Sequence, residues 1–140
     1  NRNISVEKAD AIVSFAGPLM NFITAIIFAL IYVAIYKFAS VAFITSQLGY
    51  IIISIIAGIV TLDIGLGVFN LLPLPPLDGS KIFLPILPKG AKTWFIDNER
   101  IFYLIFLFIW ISGFAGKLIS PLISRMTEWI LKLAMLIFRI

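Results

Sequence analysis

The residue types best suited to chemistry lie in residues 69–79, which read FNLLPLPPLDG. This segment closes a long apolar run, yet it carries an amide at Asn70, a carboxylate at Asp78 and three prolines. Each proline fixes φ and removes a backbone donor, so a helix that includes Asn70 cannot continue to Asp78. Irregular backbone persists at membrane depth only where protein buries it or water solvates it, and a carboxylate there indicates a functional site. In the simpler alternative, the prolines only end a spanning helix and Asp78 caps the next one.

A second polar element lies upstream in residues 16–21, which read AGPLMN. Gly17, Asn21, Ala25 and Ala29 recur every four residues and therefore share one helix face, on which another backbone can approach closely. An ordinary packing stripe accounts for Ala25 and Ala29. We expect the amide of Asn21 to hydrogen-bond to a neighbouring helix.

Both elements resemble motifs of the site-2 protease family of intramembrane zinc metalloproteases. Residues 70–79 match the pattern N-x-x-P-x-P-x-L-D-G, and residues 16–21 match the A-G-P-x-x-N element of bacterial members. The resemblance implies that Asp78 is the third protein ligand of a catalytic Zn²⁺ and that Asn70 positions the substrate or the reaction intermediate. In that family the other two ligands are histidines of an H-E-x-x-H motif, and its glutamate is the general base.

The 140 residues include no histidine and no cysteine. The chain begins with Asn1 rather than methionine, so we expect residues 1–140 to be a single membrane-embedded domain, the C-terminal part of a site-2 protease-like core without its H-E-x-x-H helix. This chain alone should be inactive, whereas the full-length protein should hydrolyse peptide bonds in membrane-spanning substrates. Two alternatives are a catalytically inactive membrane scaffold or pseudoprotease and a small transporter, in which broken helices and intramembrane carboxylates also form sites.

The composition is that of a polytopic membrane protein. Hydrophobic residues make up 61% of the chain and charged residues 13%, with a mean hydropathy of +1.10. The net charge of +4 is scattered between apolar runs and forms no basic stripe, which argues against nucleic acid as a partner. The expected partners are the lipid bilayer and a transmembrane protein substrate.

The apolar runs predict an all-α fold with three transmembrane helices and a C-terminal amphipathic helix. The predicted spans are Ala11–Tyr36, Tyr50–Leu72 and Ile101–Ile123. Residues 1–10 form an expected interfacial segment, and residues 73–76 an expected break. The residues from Met126 to Ile140 carry charges on one face, which predicts an interfacial helix or a fourth span.

Small residues mark the faces on which the spans should pack. They are Gly58, Thr61 and Gly65 in the second span, and Ser112, Gly116 and Ser120 in the third. We expect close helix contacts at Gly17 and Gly65. Asp63 interrupts the second span, where it either bonds to a neighbouring helix or hydrates a cavity below Asn70.

Basic residues predict the orientation in the membrane. Six of them precede the first span or follow the second, namely Arg2, Lys8, Lys81, Lys89, Lys92 and Arg100. The connection between these spans has only Lys37. Because cytoplasmic loops are enriched in Lys and Arg, we expect the Asp78 loop of this multi-pass protein to face the cytoplasm. The basic tail after the third span would then face outward, against the same rule.

Overall fold

The computed structural model describes the backbone of residues 2–140 and the side chains of residues 6–140. Asn1, which begins the predicted interfacial segment, lies outside the described residues. The fold is all-helical, as predicted, and the described part of the chain has no strand. Its helices are α1 (Arg2–Phe38), α2 (Val41–Ile44), α3 (Gln47–Asn70), α4 (Asp78–Phe83), α5 (Lys89–Asp97), α6 (Glu99–Ile111) and α7 (Phe114–Phe138), with a 3₁₀ turn at Leu84–Ile86.

Two helices, α1 and α3, are long and apolar enough to cross a membrane. They have 37 and 24 residues and contain most of the first two predicted spans. The interfacial segment predicted over residues 1–10 is not a separate element in its described part, because α1 runs without interruption from Arg2. Its position relative to a membrane stays a prediction. Nothing in those polar residues breaks a helix, and Pro18 is accommodated inside α1.

The predicted break after the second span is confirmed. Helix α3 ends at Asn70, and the next helix begins at Asp78. Between them the backbone forms tight turns, in which the Leu74 amide donates to the Leu72 carbonyl and the Leu77 amide to the Leu74 carbonyl, both at 2.8 Å. The prolines exclude helical hydrogen bonding here, so these short local bonds take its place.

The predicted third span, Ile101–Ile123, is not one continuous helix. Helix α6 ends at Ile111, and α7 starts at Phe114 after a bend of 77°. Gly113 makes the bend with a φ of 70°, a left-handed conformation that glycine adopts without steric cost. The 13 residues of α6 extend only about 20 Å, less than the roughly 30 Å of a hydrocarbon core. The two helices together provide at most one further, broken span.

The amphipathic helix predicted from Met126 is not a separate element. Those residues belong to α7, which runs for 25 residues from Phe114 to Phe138 and includes Pro121. The ion pair between Glu128 and Lys132, at 2.8 Å, lies on its exposed side. The charged stripe seen in the sequence is therefore one side of a long helix whose other side packs on the core.

The buried core lies among α1, α3 and α7. It consists of small and β-branched residues, namely Ala25, Ala29, Val33, Val60, Ile64, Val68, Ala115, Ile119 and Ala134. Near one end Ile123 of α7 contacts Gly65 of α3. At the other end the Phe38 and Phe138 rings lie 6.0 Å apart, so α7 runs parallel to α1 and antiparallel to α3.

The small residues predicted to pack behave differently from one another. At Gly65 a Cβ atom would lie 3.4 Å from the Ile123 side chain, which confirms a close contact. A Cβ at Gly58 would meet nothing within 4 Å. The predicted face of Ser112, Gly116 and Ser120 is exposed, because the bend at Gly113 turns Ala115 and Ile119 toward the core instead. One close contact between α1 and α3 was not predicted: a Cβ at Gly67 would lie 2.8 Å from the Phe22 ring.

Candidate metal site

The structure brings the two sequence motifs into contact. Helix α4 packs against α1, and Oδ2 of Asp78 lies 3.7 Å from the position that a Cβ atom would take at Gly17. Asp78 is half-buried, whereas Gly17 and Ala16 are exposed. The carboxylate therefore lies beside an exposed face of α1, which no other described helix covers at Gly17. The sequence singled out both motifs, but it treated Gly17 as part of a helix-packing stripe.

Close packing of the backbone at position 79 explains why a glycine follows Asp78. A Cβ atom there would lie 2.3 Å from the Leu72 carbonyl oxygen and 2.4 Å from that of Leu71. Real Cβ atoms do not come so close to backbone, so only glycine allows α4 to begin against the end of α3. The two ends of the proline-containing break are thereby held together, with Asn70 on one side and Asp78 on the other.

The hydrogen bonds of the motif fix the start of α4. Leu77 is buried and extended, with a φ of −75° and a ψ of 153°. The buried Ser80 hydroxyl donates to the Leu77 carbonyl at 2.7 Å, and the Ser80 amide donates to the same oxygen at 3.1 Å. Asp78 is the first residue of the helix, where a carboxylate interacts favourably with the helix dipole.

Asn70 is the last residue of α3 and is half-buried. It follows Leu62 and Leu66 at intervals of four residues, so the three side chains lie along one helix face. Its predicted role in positioning a substrate is untested by this arrangement, although the structure does place it at the break. Asp63, about two turns earlier, is half-buried, and no ion pair joins it among the described side chains.

The donor set is too small to hold zinc without further ligands. Within residues 2–140 no three acidic, histidine or cysteine side chains cluster as a metal site would require. Zinc sites use three or four nitrogen, sulfur or oxygen donors. Asp78 thus fits the part of one carboxylate ligand, and the chain offers no imidazole or thiolate to join it.

An apolar groove that does not include Asp78 lies between α3 and the start of α7. Its volume is about 500 Å³, and its lining includes Leu66, Phe69, Trp110 and Ile119. The Phe69 and Trp110 rings lie 5.2 Å apart and link α6 to α3. No carboxylate, imidazole or thiolate lines this groove, so it is not a metal site.

Two contacts made by lysine side chains show which helices meet at each end of the bundle. Lys92 of α5 forms an ion pair with Glu7 of α1, which places α5 at the end that carries Asp78. At the opposite end the Lys37 ammonium donates to the carbonyl oxygen of Phe138. The basic residues that predicted the orientation therefore gather at the Asp78 end, but which side of the membrane this end faces stays a prediction.

Comparison with known proteins identifies one relative from Bacillus subtilis (strain 168), named "Putative zinc metalloprotease YwhC". The two sequences are 31% identical over 133 residues, which is 94% of this chain and 59% of the relative. The chain thus spans less than two thirds of the relative's length. No protein-family model matches the chain, and no solved structure matches it significantly.

Proposed function

We propose that this chain, which homology and motifs relate to a site-2 protease-like family, forms part of the catalytic core of an intramembrane zinc metalloprotease. The 31% identity over 94% of the chain to a protein named "Putative zinc metalloprotease YwhC" supports the family resemblance that the motifs indicate. The assignment of Asp78 as a zinc ligand, the membrane-embedded substrate and the intramembrane reaction are the proposal.

One observation carries this proposal. Asp78 and Gly17 belong to motifs that lie far apart in the sequence, and the fold brings them within van der Waals reach of each other. A proline break that merely ended a spanning helix would not need to return a carboxylate to the first helix. The break instead presents Asp78 beside the open side of α1, where a further helix can approach it.

Each motif residue has a role in this arrangement. Asp78 supplies one carboxylate ligand, and Gly79 fixes its position by letting α4 start against α3. Pro73 and Pro75 keep the preceding backbone out of helical geometry. Asn70 orients the substrate backbone or the reaction intermediate through its amide. When bound, zinc polarises the scissile carbonyl and activates a water molecule.

The remaining zinc ligands come, in this proposal, from a segment outside these 140 residues. Two imidazoles at positions i and i+4 lie on one helix face, so a single H-E-x-x-H helix can deliver both. Exposed Gly17 leaves room for such a helix beside Asp78. The substrate is a membrane-spanning segment of another protein, and the Asp78 end of the bundle faces the cytoplasm.

The test uses the full-length protein reconstituted in liposomes with a tagged membrane-spanning substrate. Zinc content by elemental analysis should be stoichiometric in the parent and lost in Asp78→Asn, since an amide of nearly the same shape is a poor zinc ligand. Cleavage should be lost with it. Asp97→Asn, an equal charge change at an exposed position on α5, should retain both.

The scaffold alternative predicts different results for the same samples. A pseudoprotease would show neither zinc nor cleavage in the parent. Full activity in Asp78→Asn would also remove the assignment, because another residue would then have to complete the site.

A further inference from the structure

A second pocket, of about 300 Å³, lies between α4, which begins at Asp78, and the α5–α6 segment. The motif side contributes Pro75, Pro76, Ser80, Lys81 and Leu84. The opposite side contributes Phe95, Ile96, Glu99 and Tyr103. No described residue of α1 lines this pocket, and none of the roles proposed above involves Lys81, Glu99 or Tyr103.

The far wall of the pocket is held in place by aromatic packing. The Phe95 and Phe102 rings lie 4.4 Å apart, and the Trp94 and Phe102 rings 5.7 Å apart in an edge-on arrangement. These contacts join α5 to α6 and set Glu99 at the first turn of α6. The far wall is therefore a packed corner between α5 and α6, and α4 forms the opposite wall.

Two exposed side chains of opposite charge line this pocket. Lys81 and Glu99 both face it, yet the ion pairs among the described side chains join Lys92 to Glu7 and Lys132 to Glu128 instead. Tyr103 adds a phenol, whose hydroxyl can donate or accept. A ligand that carries an anion and a cation close together would satisfy both charges at once.

The residues around the pocket are of the types found at the headgroup region of a bilayer. The pocket lies at the charged end of the bundle, near the Glu7–Lys92 ion pair. Trp94 and Tyr103 are 61% and 43% exposed, as is common for aromatic residues at a membrane interface. Beyond Tyr103 helix α6 continues as an exposed apolar segment, which offers a surface for acyl chains.

We propose that this pocket binds the headgroup of a zwitterionic aminophospholipid. Lys81 pairs with the lipid phosphate, and the Glu99 carboxylate accepts hydrogen bonds from the primary ammonium. The Tyr103 hydroxyl donates to the phosphate. A water molecule occupies about 30 Å³ in the liquid, so the volume holds roughly ten atoms of that size, enough for a phosphoethanolamine group. This proposal does not depend on zinc or on proteolysis.

The experiment measures which lipids stay bound to the purified chain. The chain is reconstituted in bilayers with equal parts of phosphatidylethanolamine, phosphatidylcholine and phosphatidylglycerol and then extracted in mild detergent. Native mass spectrometry counts the retained lipids. Because phosphatidylcholine lacks an N–H donor and phosphatidylglycerol lacks the cation, phosphatidylethanolamine should be retained on the order of tenfold more than either.

Matched variants assign the selectivity to the pocket. Lys81→Gln and Glu99→Gln should each remove the preference for phosphatidylethanolamine. Lys89→Gln and Asp97→Asn make the same charge changes at exposed α5 positions outside the pocket and should preserve it. Soluble phosphoethanolamine, added at the same concentration as the lipid, should not displace it, since it lacks acyl chains.

Three results would overturn the proposal. Equal retention of the three lipids by the unaltered chain would do so without any variant having to fold. Stronger retention of phosphatidylglycerol would indicate simple attraction to the basic residues. Displacement by soluble phosphoethanolamine would identify a free zwitterion, and not a lipid, as the ligand.

Discussion

The Cβ position of Gly79 and the carbonyl oxygen of Leu72 lie only 2.3 Å apart. This closeness means that α3 and α4, which are separated in sequence by the proline segment, meet backbone to backbone. Asn70 and Asp78 are consequently carried at the two ends of one closed turn. The glycine of the Asp-Gly pair is required by packing, irrespective of any chemistry of the aspartate.

Gly79→Ala should destabilise the fold. A methyl group would overlap the Leu71 and Leu72 carbonyls, and overpacking against backbone should cost on the order of 3 kcal/mol. Thermal unfolding in detergent measures this, with Gly90→Ala as the control because a Cβ there meets nothing within 4 Å. Equal unfolding temperatures for both variants would contradict the close approach of α4 to α3.

Gly67→Ala and Gly58→Ala should have opposite effects on the same helix. At Gly67 the methyl group would lie 2.8 Å from the Phe22 ring, so the ring must shift in a packed region. At Gly58 it enters open space, and replacing a helical glycine by alanine gains up to about 1 kcal/mol. Thermal unfolding should rank Gly58→Ala above the parent and Gly67→Ala below it. The reverse order would refute the packing of α1 against α3.

Gly17→Leu and Gly65→Leu separate a site defect from a folding defect. Gly65 contacts Ile123, so a leucine there should lower the unfolding temperature, at a cost of about 1–3 kcal/mol. Gly17 is exposed and faces only the Asp78 carboxylate, so the chain carrying Gly17→Leu should unfold near the parent temperature. In the full-length protein the same substitution should reduce zinc content, because the leucine occupies the space beside the ligand. Normal zinc content would mean that this space is not used.

Gly113→Ala tests the bend between α6 and α7. With a φ of 70°, an alanine at this position should cost about 1 kcal/mol or more. Gly116→Ala is the matched control, because Gly116 lies inside α7 with open space around it and alanine favours the helix there. The measurement is again thermal unfolding, followed by circular dichroism. If both substitutions stabilise the chain, α6 and α7 form a single straight helix.

The isolated 140-residue chain should not bind zinc tightly. Its described residues hold no cluster of three metal-ligating acidic, histidine or cysteine side chains, and one carboxylate alone is a weak site. Isothermal titration calorimetry should therefore show no stoichiometric binding, whereas the full-length protein should retain zinc through purification. Tight binding that survives Asp78→Asn in the isolated chain would point to a site that involves other residues.

The sequence by itself determined the helical class, the first two spans and the break between Asn70 and Asp78. These features follow from local rules that tolerate few exceptions in a bilayer. A long apolar run without charge must satisfy its own backbone and becomes helical, and proline cannot continue a helix. The motif residues were also readable, because their types and spacing do not depend on the rest of the fold.

Only the tertiary structure decided where α6 ends, how α7 runs and what Gly17 faces. Glycine is common inside transmembrane helices, so Gly113 within an apolar run did not predict a bend of 77°. Contacts between distant residues, such as Trp110 with Phe69 and Ile123 with Gly65, hold α6 and α7 in place. A glycine on a helix face can either pack against a neighbouring helix or leave space beside a functional group. Which of the two occurs depends on the residue brought opposite it, and for Gly17 that residue is Asp78.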